Sequence, residues 1–294
     1  MAIFRWSFRL ILASLPLLSN PMPTHAAEFK VADNYTLLEG EIKSGDLEKL
    51  RRLFPTTGSA PLRLYLASPG GDLAEAMKIG RLVRSLKWPT TTPTALYSAD
   101  ETKRLAARHG VTDLTNFMCA SACFFLFTAG IYRSADEGGA PKLGIHRPYL
   151  SQDDLKRLNS DQAIATAGQV RTTVEKYLKE MSVPPKYADQ MFSVPKDAIR
   201  WISKEDFDAD FDGFVPELKD WVDAQCGKRS DAEKAITKAI EHKAGSELTK
   251  AERIMSDALV KKYEEQLACE HDIRDDLILH AYESGAYQRL FRTP

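Results

Sequence analysis

The chain lacks a charge excess of either sign, and it contains no internal repeat and no low-complexity tract. Its 40 Lys and Arg residues and 41 Asp and Glu residues give a formal net charge of −1 at pH 7. Nucleic-acid-binding domains carry clustered basic residues, so the composition indicates no nucleic-acid partner. Apolar residues make up 44% and charged residues 28% of the 294 residues. These values are typical of a globular protein with one large domain, or with one large and one small domain.

Metal-ligand patterns are also scarce. Cys119, Cys123 and His146 would supply three zinc ligands, but no complete set of four accompanies them. The acidic run from Glu205 to Asp212 lacks the glycine and the terminal glutamate of an EF-hand loop. A solvated turn is therefore the preferred interpretation over a calcium site. We expect no metal and no cofactor.

Apolar runs long enough to cross a bilayer, which takes about 20 residues, are missing as well. Arg5 and Arg9 precede or open a shorter apolar run over Leu10–Leu18, and small residues lie at positions −3 and −1 before Ala27. This pattern predicts a secretory signal peptide over residues 1–26, cleaved near Ala26 or Ala27. An uncleaved anchor is the alternative, and membrane attachment is expected only in that case.

The chain has an even number of cysteines, at positions 119, 123, 226 and 269. Disulfides form in the oxidising compartments that exported proteins enter. Cys226 and Cys269 bracket a region that the helical spacing of apolar residues predicts to be helical, and we expect them to be paired. Cys119 and Cys123 are four residues apart. A disulfide with this spacing is strained if both cysteines lie within a helix, but not if Cys119 lies before the helix begins.

The most informative stretch runs from Phe117 to Leu150. Ser121 lies between two alanines at the start of an apolar run that predicts a buried helix. His146 lies 25 positions later on a short apolar run that predicts a strand. A helix N-terminus presents free N–H groups, which suit a nucleophile whose reaction develops a negative oxygen.

A second informative stretch precedes it. Residues 62–67 read as a buried strand, and Ser-Pro-Gly-Gly follows as a turn with backbone freedom at Gly70 and Gly71. Asp72 is then a predicted N-cap for a helix that continues to about Leu86. This strand–glycine turn–helix unit can direct backbone N–H groups at an anion, although Gly-Gly alone favours an ordinary connection.

These segments, in this order, resemble the ClpP-type serine peptidases of the ClpP/crotonase superfamily. The resemblance covers roughly residues 35 to 215 and implies that Ser121 is the nucleophile and His146 the general base. It also implies an oxyanion hole from the N–H groups of Gly71 and Ala122. Gly70 and Arg147, beside these residues in the sequence, are the candidates for substrate binding.

The resemblance implies an acid as the third catalytic member, and the sequence leaves two candidates. Asp189 precedes a short apolar–serine segment in the way that the family pattern requires, and Asp197 competes with it. A serine–lysine pair using Lys142 or Lys186 is a further alternative, against which the Gly-Ile-His-Arg-Pro run argues. About 20 residues between Tyr97 and Asn116 form an insertion that the family lacks. Residues 99–109 within it predict a helix that Gly110 ends, with His109 at the surface of the C-terminal end of the helix.

The predicted fold is α/β, with a ClpP/crotonase-like core of repeated βα units and a helical C-terminal extension. We predict three regions, namely the signal peptide at 1–26, the core domain at 27–225 and the extension at 226–294. Ser151 to Asp154 has the character of a capping box and predicts the start of a long helix. Helices in this place mediate ring contacts in ClpP-type proteins, so a homo-oligomer is one expectation, and folding back onto the domain is the other.

The predicted function is that of an exported serine peptidase, in a periplasm if the source is bacterial. A non-catalytic protein of the same fold, which binds peptides or assembles with partners, is the second hypothesis, because a fold does not fix a function. A crotonase-like acyl-CoA enzyme is the third. It would not require Ser121 and His146 together.

Overall fold

The computed structural model describes residues 26–32, 35–57, 63–96, 98–136, 139–149, 156, 158–241 and 248–285. The predicted signal peptide therefore lies outside the described residues, except for Ala26. The described strands are β1 (Glu28–Val31), β2 (Thr36–Glu39), β3 (Leu64–Ala67), β4 (Thr90–Thr92), β5 (Thr94–Ala95), β6 (Cys119–Ala120), β7 (Tyr132–Ala135), β8 (Ala140–Pro141), β9 (Leu143–Ile145), β10 (Arg200–Trp201) and β11 (Gly213–Phe214).

The described α-helices alternate with these strands and then follow one another to the C-terminal region. They are α1 (Asp46–Thr57), α2 (Leu73–Ser85), α3 (Ala99–Arg108), α4 (Ala122–Thr128), α5 (Ser160–Glu180), α6 (Lys186–Ser193), α7 (Lys204–Asp210), α8 (Pro216–Cys226), α9 (Asp231–Glu241) and α10 (Lys250–Glu283). The mixture of sheets and helices confirms the α/β class.

The strands form three sheets. The largest has the order β1-β2-β3-β4-β7-β11, in which β2, β3, β4 and β7 are parallel and the two outer strands are antiparallel to their neighbours. A second sheet has the order β10-β9-β6, with β6 and β9 parallel. The third pairs β5 with β8. A bridge between Ser68 and Cys119 joins the end of β3 to the start of β6, which brings the two longer sheets together.

Strand β3 explains how the core is built. Leu64 and Leu66 face the main core, which the buried helices α2 and α4 complete. Tyr65 and Ala67 point to the other face, into a second cluster beneath the insertion. Because side chains alternate along a strand, a fully buried strand must be covered on both faces. The insertion supplies the second cover, and the predicted buried strand is confirmed over Leu64–Ala67.

Glu39 fixes the C-terminal end of the insertion to the large sheet. Its buried carboxylate accepts hydrogen bonds from the backbone N–H groups of Thr112 (2.7 Å) and Asp113 (2.8 Å) and from the ammonium of Lys30 (2.5 Å). Burial alone would raise the pKa of Glu39, but these donors outweigh it and lower the pKa. The carboxylate therefore remains ionised and holds the insertion in place.

A second contact holds helix α3 of the insertion. His109, at its C-terminal end, lies 3.1 Å from the Asp136 carboxylate and stacks on the Tyr65 ring with centroids 3.9 Å apart. The Tyr65 hydroxyl also donates to Asp136. The prediction that α3 ends before Gly110 is confirmed. His109, which the sequence suggests to be a surface residue, is only 19% exposed in its side chain.

Helix α2 begins as the sequence predicts. The Asp72 side chain accepts a hydrogen bond from the Glu75 backbone N–H at 3.0 Å, as an N-cap residue does. Glu75 is buried and accepts from the N–H groups of Gly45 and Leu47 at the start of α1. These bonds fix the glycine turn that precedes α2 relative to α1.

Helices α8 to α10 form the C-terminal helical region. Cys226 and Cys269 are joined by a disulfide with their Cα atoms 5.5 Å apart, as predicted. Near the end of α10, Arg274 lies over the Tyr132 ring of β7, and Ala281 packs into the main core. The extension therefore packs on the α/β core. In the part of the chain that the structure describes, no helix is both long and apolar enough to cross a membrane.

Helix α5 is exposed over its described N-terminal part and packs on the domain near its C-terminal end. Its described N-terminal part is largely exposed, with Ile164 74% exposed, whereas Val174, Tyr177 and Leu178 near its C-terminal end are buried. Asn159 caps it in a capping box with Gln162. The capping box predicted at Ser151–Asp154 lies outside the described residues, and the homo-oligomer stays a prediction.

Candidate active site

Ser121 lies at a sharp turn between β6 and α4. Its backbone dihedrals are φ 57° and ψ −122°, a conformation that residues other than glycine rarely adopt. The residue is partly exposed, whereas each residue of α4 is buried. A strained strand–turn–helix junction that presents a serine hydroxyl is the local structure of nucleophile elbows in serine hydrolases.

The Ser-Pro-Gly-Gly turn lies directly against this junction. A Cβ atom at Gly70 would stand 2.5 Å from Ser121 Cβ and 2.9 Å from Ala122 N. Gly70 and Gly71 have φ values of 114° and 133°, which favour glycine. The buried Ser68 hydroxyl accepts a hydrogen bond from the Gly70 N–H at 3.1 Å and so shapes the turn.

The two N–H groups predicted to form an oxyanion hole belong to Gly71 and Ala122. Gly71 forms a bridge with Ile42, but the bonds of that bridge run from Ile42 N to Gly70 O and from Asp72 N to Ile42 O. Within the described residues, neither the Gly71 N–H nor the Ala122 N–H donates a hydrogen bond. A Cβ atom at Gly70 would stand 2.9 Å from Ala122 N, so the Ala122 N–H lies beside the glycine turn that carries the Gly71 N–H.

His146 reaches the same place from the neighbouring strand. Ala120 of β6 pairs with Gly144 of β9, and the Ser121 N–H donates to the Gly144 carbonyl at 3.0 Å. His146 follows immediately after β9. Because adjacent parallel strands lie about 4.8 Å apart, the ends of β6 and β9 bring the serine and the histidine into one neighbourhood. Ser121 thus precedes α4 and His146 follows β9, and their catalytic roles stay predictions.

The His146 ring is oriented by a main-chain oxygen. Its Nδ1 lies 3.0 Å from the Arg147 carbonyl, and the residue is 9% exposed. With the proton on Nδ1, the ring donates to this oxygen and Nε2 retains a lone pair, which is the tautomer that a general base requires. The Ser121 hydroxyl makes no hydrogen bond to any described residue, and therefore none to the His146 ring.

The structure does not bring the predicted acid to the histidine. The Asp189 side chain is 73% exposed and bonds Arg171 at 2.6 Å. Asp197 lies in the segment that runs beside His146, because the Arg147 N–H donates to Val194 O and β10 pairs with β9 soon afterwards. Among the described residues, no ion pair joins His146 to a carboxylate. The assignment of Asp189 therefore stays a prediction, with Asp197 as its competitor.

The candidate substrate-binding residues have different surroundings. Gly70 lines the turn beside Ser121, whereas the exposed Arg147 donates through Nε to the Phe192 carbonyl at 2.8 Å. The sequence analysis did not include the apolar side chains near His146. Tyr149 stacks on its ring and is 64% exposed, and Trp201 packs over Gly144 and is 43% exposed.

The cysteines beside Ser121 are bonded to each other. Cys119 in β6 and Cys123 in α4 form a disulfide with a Cα–Cα distance of 5.2 Å. Cys119 thus lies before the helix, and its sulfur and that of Cys123 are not thiolates for zinc. No described group of three or more His, Cys, Asp or Glu residues could hold a metal ion.

The two lysines of the alternative serine–lysine pair are either held in ion pairs or far from His146 along β9. Lys186 pairs with Asp206 and Asp210, and Asp208 pairs with Lys204, so three carboxylates of the acidic run are in ion pairs. Lys142 precedes β9, at the opposite end of that strand from His146. A serine–lysine pair through either lysine would need a different arrangement of these elements.

Sequence reasoning missed two parts of the site. The Ser68 hydroxyl bond to Gly70 has a local signal, since serine two residues before a backbone N–H commonly forms such a turn. The Cys119–Cys123 bond has only the short spacing as a signal.

No model of a known protein family matches the chain, and no curated protein matches it.

Proposed function

We propose that the protein is a serine peptidase with a ClpP-like core, in which Ser121 is the nucleophile and His146 the general base. The observation that carries the proposal is the Ser121 backbone at φ 57° and ψ −122°, at the turn from β6 to α4. Strain of this kind costs about 1–3 kcal/mol and persists where the surrounding structure enforces it, commonly at functional sites.

The chemistry follows from the positions of the groups. The Ser121 hydroxyl attacks a peptide carbonyl while His146 Nε2 accepts the hydroxyl proton. The carbonyl oxygen becomes negative in the tetrahedral intermediate, and the N–H groups of Gly71 and Ala122, which donate to no described residue, are proposed to receive it. His146 then returns the proton to the leaving amine, and water releases the acyl group by the same steps.

A main-chain oxygen occupies the place of a third catalytic member beside His146. In the described conformation the Arg147 carbonyl holds Nδ1 of His146, the place that an aspartate takes in a triad. The resemblance to ClpP-type peptidases assigns this place to Asp189, whose carboxylate would first have to leave Arg171. The pair Ser121 and His146 carries the proposal without it.

Export into an oxidising compartment, such as a bacterial periplasm, is part of the same proposal. It rests on the N-terminal sequence pattern and agrees with the presence of two disulfides, one of them predicted. N-terminal sequencing of the protein recovered from that compartment should begin at Ala27 or Glu28. Recovery of the chain from the cytosol with Met1 intact would contradict export.

A fluorophosphonate probe tests the chemistry. It should label Ser121, labelling should disappear in Ser121→Ala, and it should slow by at least about 100-fold in His146→Ala because the hydroxyl loses its base. The double variant should lose little more activity than either single variant, since the two residues act as a unit. Wild-type protein that is folded, unlabelled and unable to cleave unfolded casein would contradict the proposal.

One observation favours a second candidate, a non-catalytic peptide-binding protein. The Ser121 hydroxyl is not bonded to His146 in the described conformation. In that case Ser121→Ala would bind a peptide library with unchanged affinity, and neither the wild type nor the variant would cleave it. Cleavage by the wild type alone separates the two candidates.

A further inference from the structure

We infer that the Cys119–Cys123 disulfide is a positioning device for the nucleophile turn. This inference rests on the proposed function of Ser121. The bond closes the segment Cys-Ala-Ser-Ala-Cys, so that Ser121 is the central residue of the closed segment. Both cysteines are fully buried, whereas Ser121 between them is partly exposed.

The bond joins two elements that are each fixed independently. Cys119 belongs to β6, where its N–H donates to Lys142 O at 2.8 Å and it pairs with Leu143. Cys123 belongs to α4, which is buried against α2. The disulfide therefore sets the separation between the end of a strand and the start of a helix, and only three residues span that separation.

This constraint acts on the strained residue. Hydrogen bonds hold the turn on its strand side, from Ala120 N to Ser68 O and from Ser121 N to Gly144 O. On the helix side, Phe124 N donates to Ser121 O at 3.1 Å. None of these bonds involves the Ala122 N–H. Rotation of the peptide between Ser121 and Ala122 would change ψ of Ser121, break the Phe124 N–Ser121 O bond and turn that N–H away from the site.

The disulfide opposes displacement of the turn in which such a rotation occurs, because Cys123 is tied covalently to β6. A relaxed turn would move both the Ser121 hydroxyl and the Ala122 N–H, which the reaction needs in fixed positions. Misplacement of reacting groups by about 1 Å can cost about 100-fold in rate. The structure thus assigns to Cys119 and Cys123 a role in the rate of acylation, acting through Ser121.

The test compares two disulfide deletions. We expect Cys119→Ala/Cys123→Ala to lower the saturating rate of fluorophosphonate labelling by about 100-fold, while the probe concentration at half-saturation changes by less than about twofold. The matched control Cys226→Ala/Cys269→Ala removes a disulfide away from the site and should label at the wild-type rate. A folded Cys119→Ala/Cys123→Ala variant that labels as fast as the wild type would overturn the inference.

Two further measurements keep the test decisive. If the alanine variant does not fold, Cys119→Val/Cys123→Ala refills the volume in β6. If neither double variant folds, the disulfide is required for folding, and the inference is contradicted. The backbone amide NMR shifts of Ser121 and Ala122 should change in the folded variant and stay unchanged in the control. The NMR measurement tests the positioning role even if the wild type does not react with the probe. An unreactive wild type would overturn the proposed function but not the positioning role.

Discussion

Gly70 and Ser121 are in direct contact across two different sheets: a Cβ atom at Gly70 would lie 2.5 Å from Ser121 Cβ. The glycine turn after β3 and the nucleophile turn after β6 therefore pack backbone against backbone. Any side chain at Gly70 would also lie 2.8 Å from Ala120 O. The site tolerates only glycine there, both for space and for its φ of 114°.

Gly70→Ala should therefore abolish labelling of Ser121 and destabilise the protein by about 3 kcal/mol or more, through the clash and the backbone strain. Urea denaturation and fluorophosphonate labelling measure the two effects. Gly45→Ala is the matched control, since Gly45 has a φ of 95° but no atom within 4 Å of an added Cβ. It should lose about 1–2 kcal/mol from strain alone and keep its labelling rate. Equal labelling in both variants would show that contact with Ser121 is unimportant.

The acid is tested by Asp189→Asn and Asp197→Asn. Because the Arg147 carbonyl contacts His146 Nδ1 and Asp189 bonds Arg171, we expect each variant to change the labelling rate by less than about tenfold. A true triad aspartate costs about 10⁴-fold when replaced by asparagine, because the ring adopts the wrong tautomer. A loss of that size in Asp189→Asn would establish the triad that the family resemblance implies. The same loss in Asp197→Asn would identify its competitor.

Glu39→Gln should destabilise the protein by about 2 kcal/mol at pH 7, because the charge-assisted bonds to Thr112, Asp113 and Lys30 weaken. The pKa of Glu39 is lowered in the folded state, so its contribution is present above the ordinary carboxyl pKa. That contribution is lost as the pH falls through the lowered pKa. Denaturation curves at pH 7 and pH 3 measure it.

The difference between wild type and Glu39→Gln should therefore shrink toward the lower pH. The exposed Glu48, which pairs only with Arg51 in the same helix, supplies the control Glu48→Gln. That variant should match the wild type at both values. A difference between wild type and Glu39→Gln that grows on acidification would contradict the assigned role of the Glu39 carboxylate.

Removing the second disulfide should loosen the C-terminal helices. For a sequence separation of 43 residues, the chain-entropy estimate gives a loss of about 4 kcal/mol in Cys226→Ala/Cys269→Ala. Amide hydrogen exchange should accelerate in α8 and α10 and stay unchanged in β3 and α4. Uniform acceleration throughout the chain would instead show that the extension and the core unfold as one unit.

The sequence predicts the elements whose signals are local. The buried strand at β3, the Asp72 cap of α2 and the end of α3 before Gly110 all follow from spacing, capping and turn chemistry within a few residues. The placement of Ser121 at a helix start and of His146 after a strand follows in the same way. The Cys226–Cys269 pair needed only the even count and the helical span between them.

Other features depend on contacts that no local pattern encodes. Glu39 and Thr112 are 73 positions apart, and nothing near either residue indicates the other. The dihedrals of Ser121 arise from the combined restraint of β6, β9 and the glycine turn. The small residues beside Ser121 allow this backbone conformation, but they do not by themselves predict it. The exposed position of Asp189 depends on how α6 packs against α5, which its family-like spacing does not specify.

The two edges of the six-stranded sheet determine how copies of this chain can associate. In the described part of the chain, one edge is β1, four residues long and carrying Glu28 and Lys30, and the other is β11, only two residues long. Short edges and charged edge residues oppose pairing with a strand of another molecule. Growth of the sheet from chain to chain is therefore disfavoured at both ends. The described edges of this sheet therefore give the protein little tendency toward edge-to-edge aggregation through it.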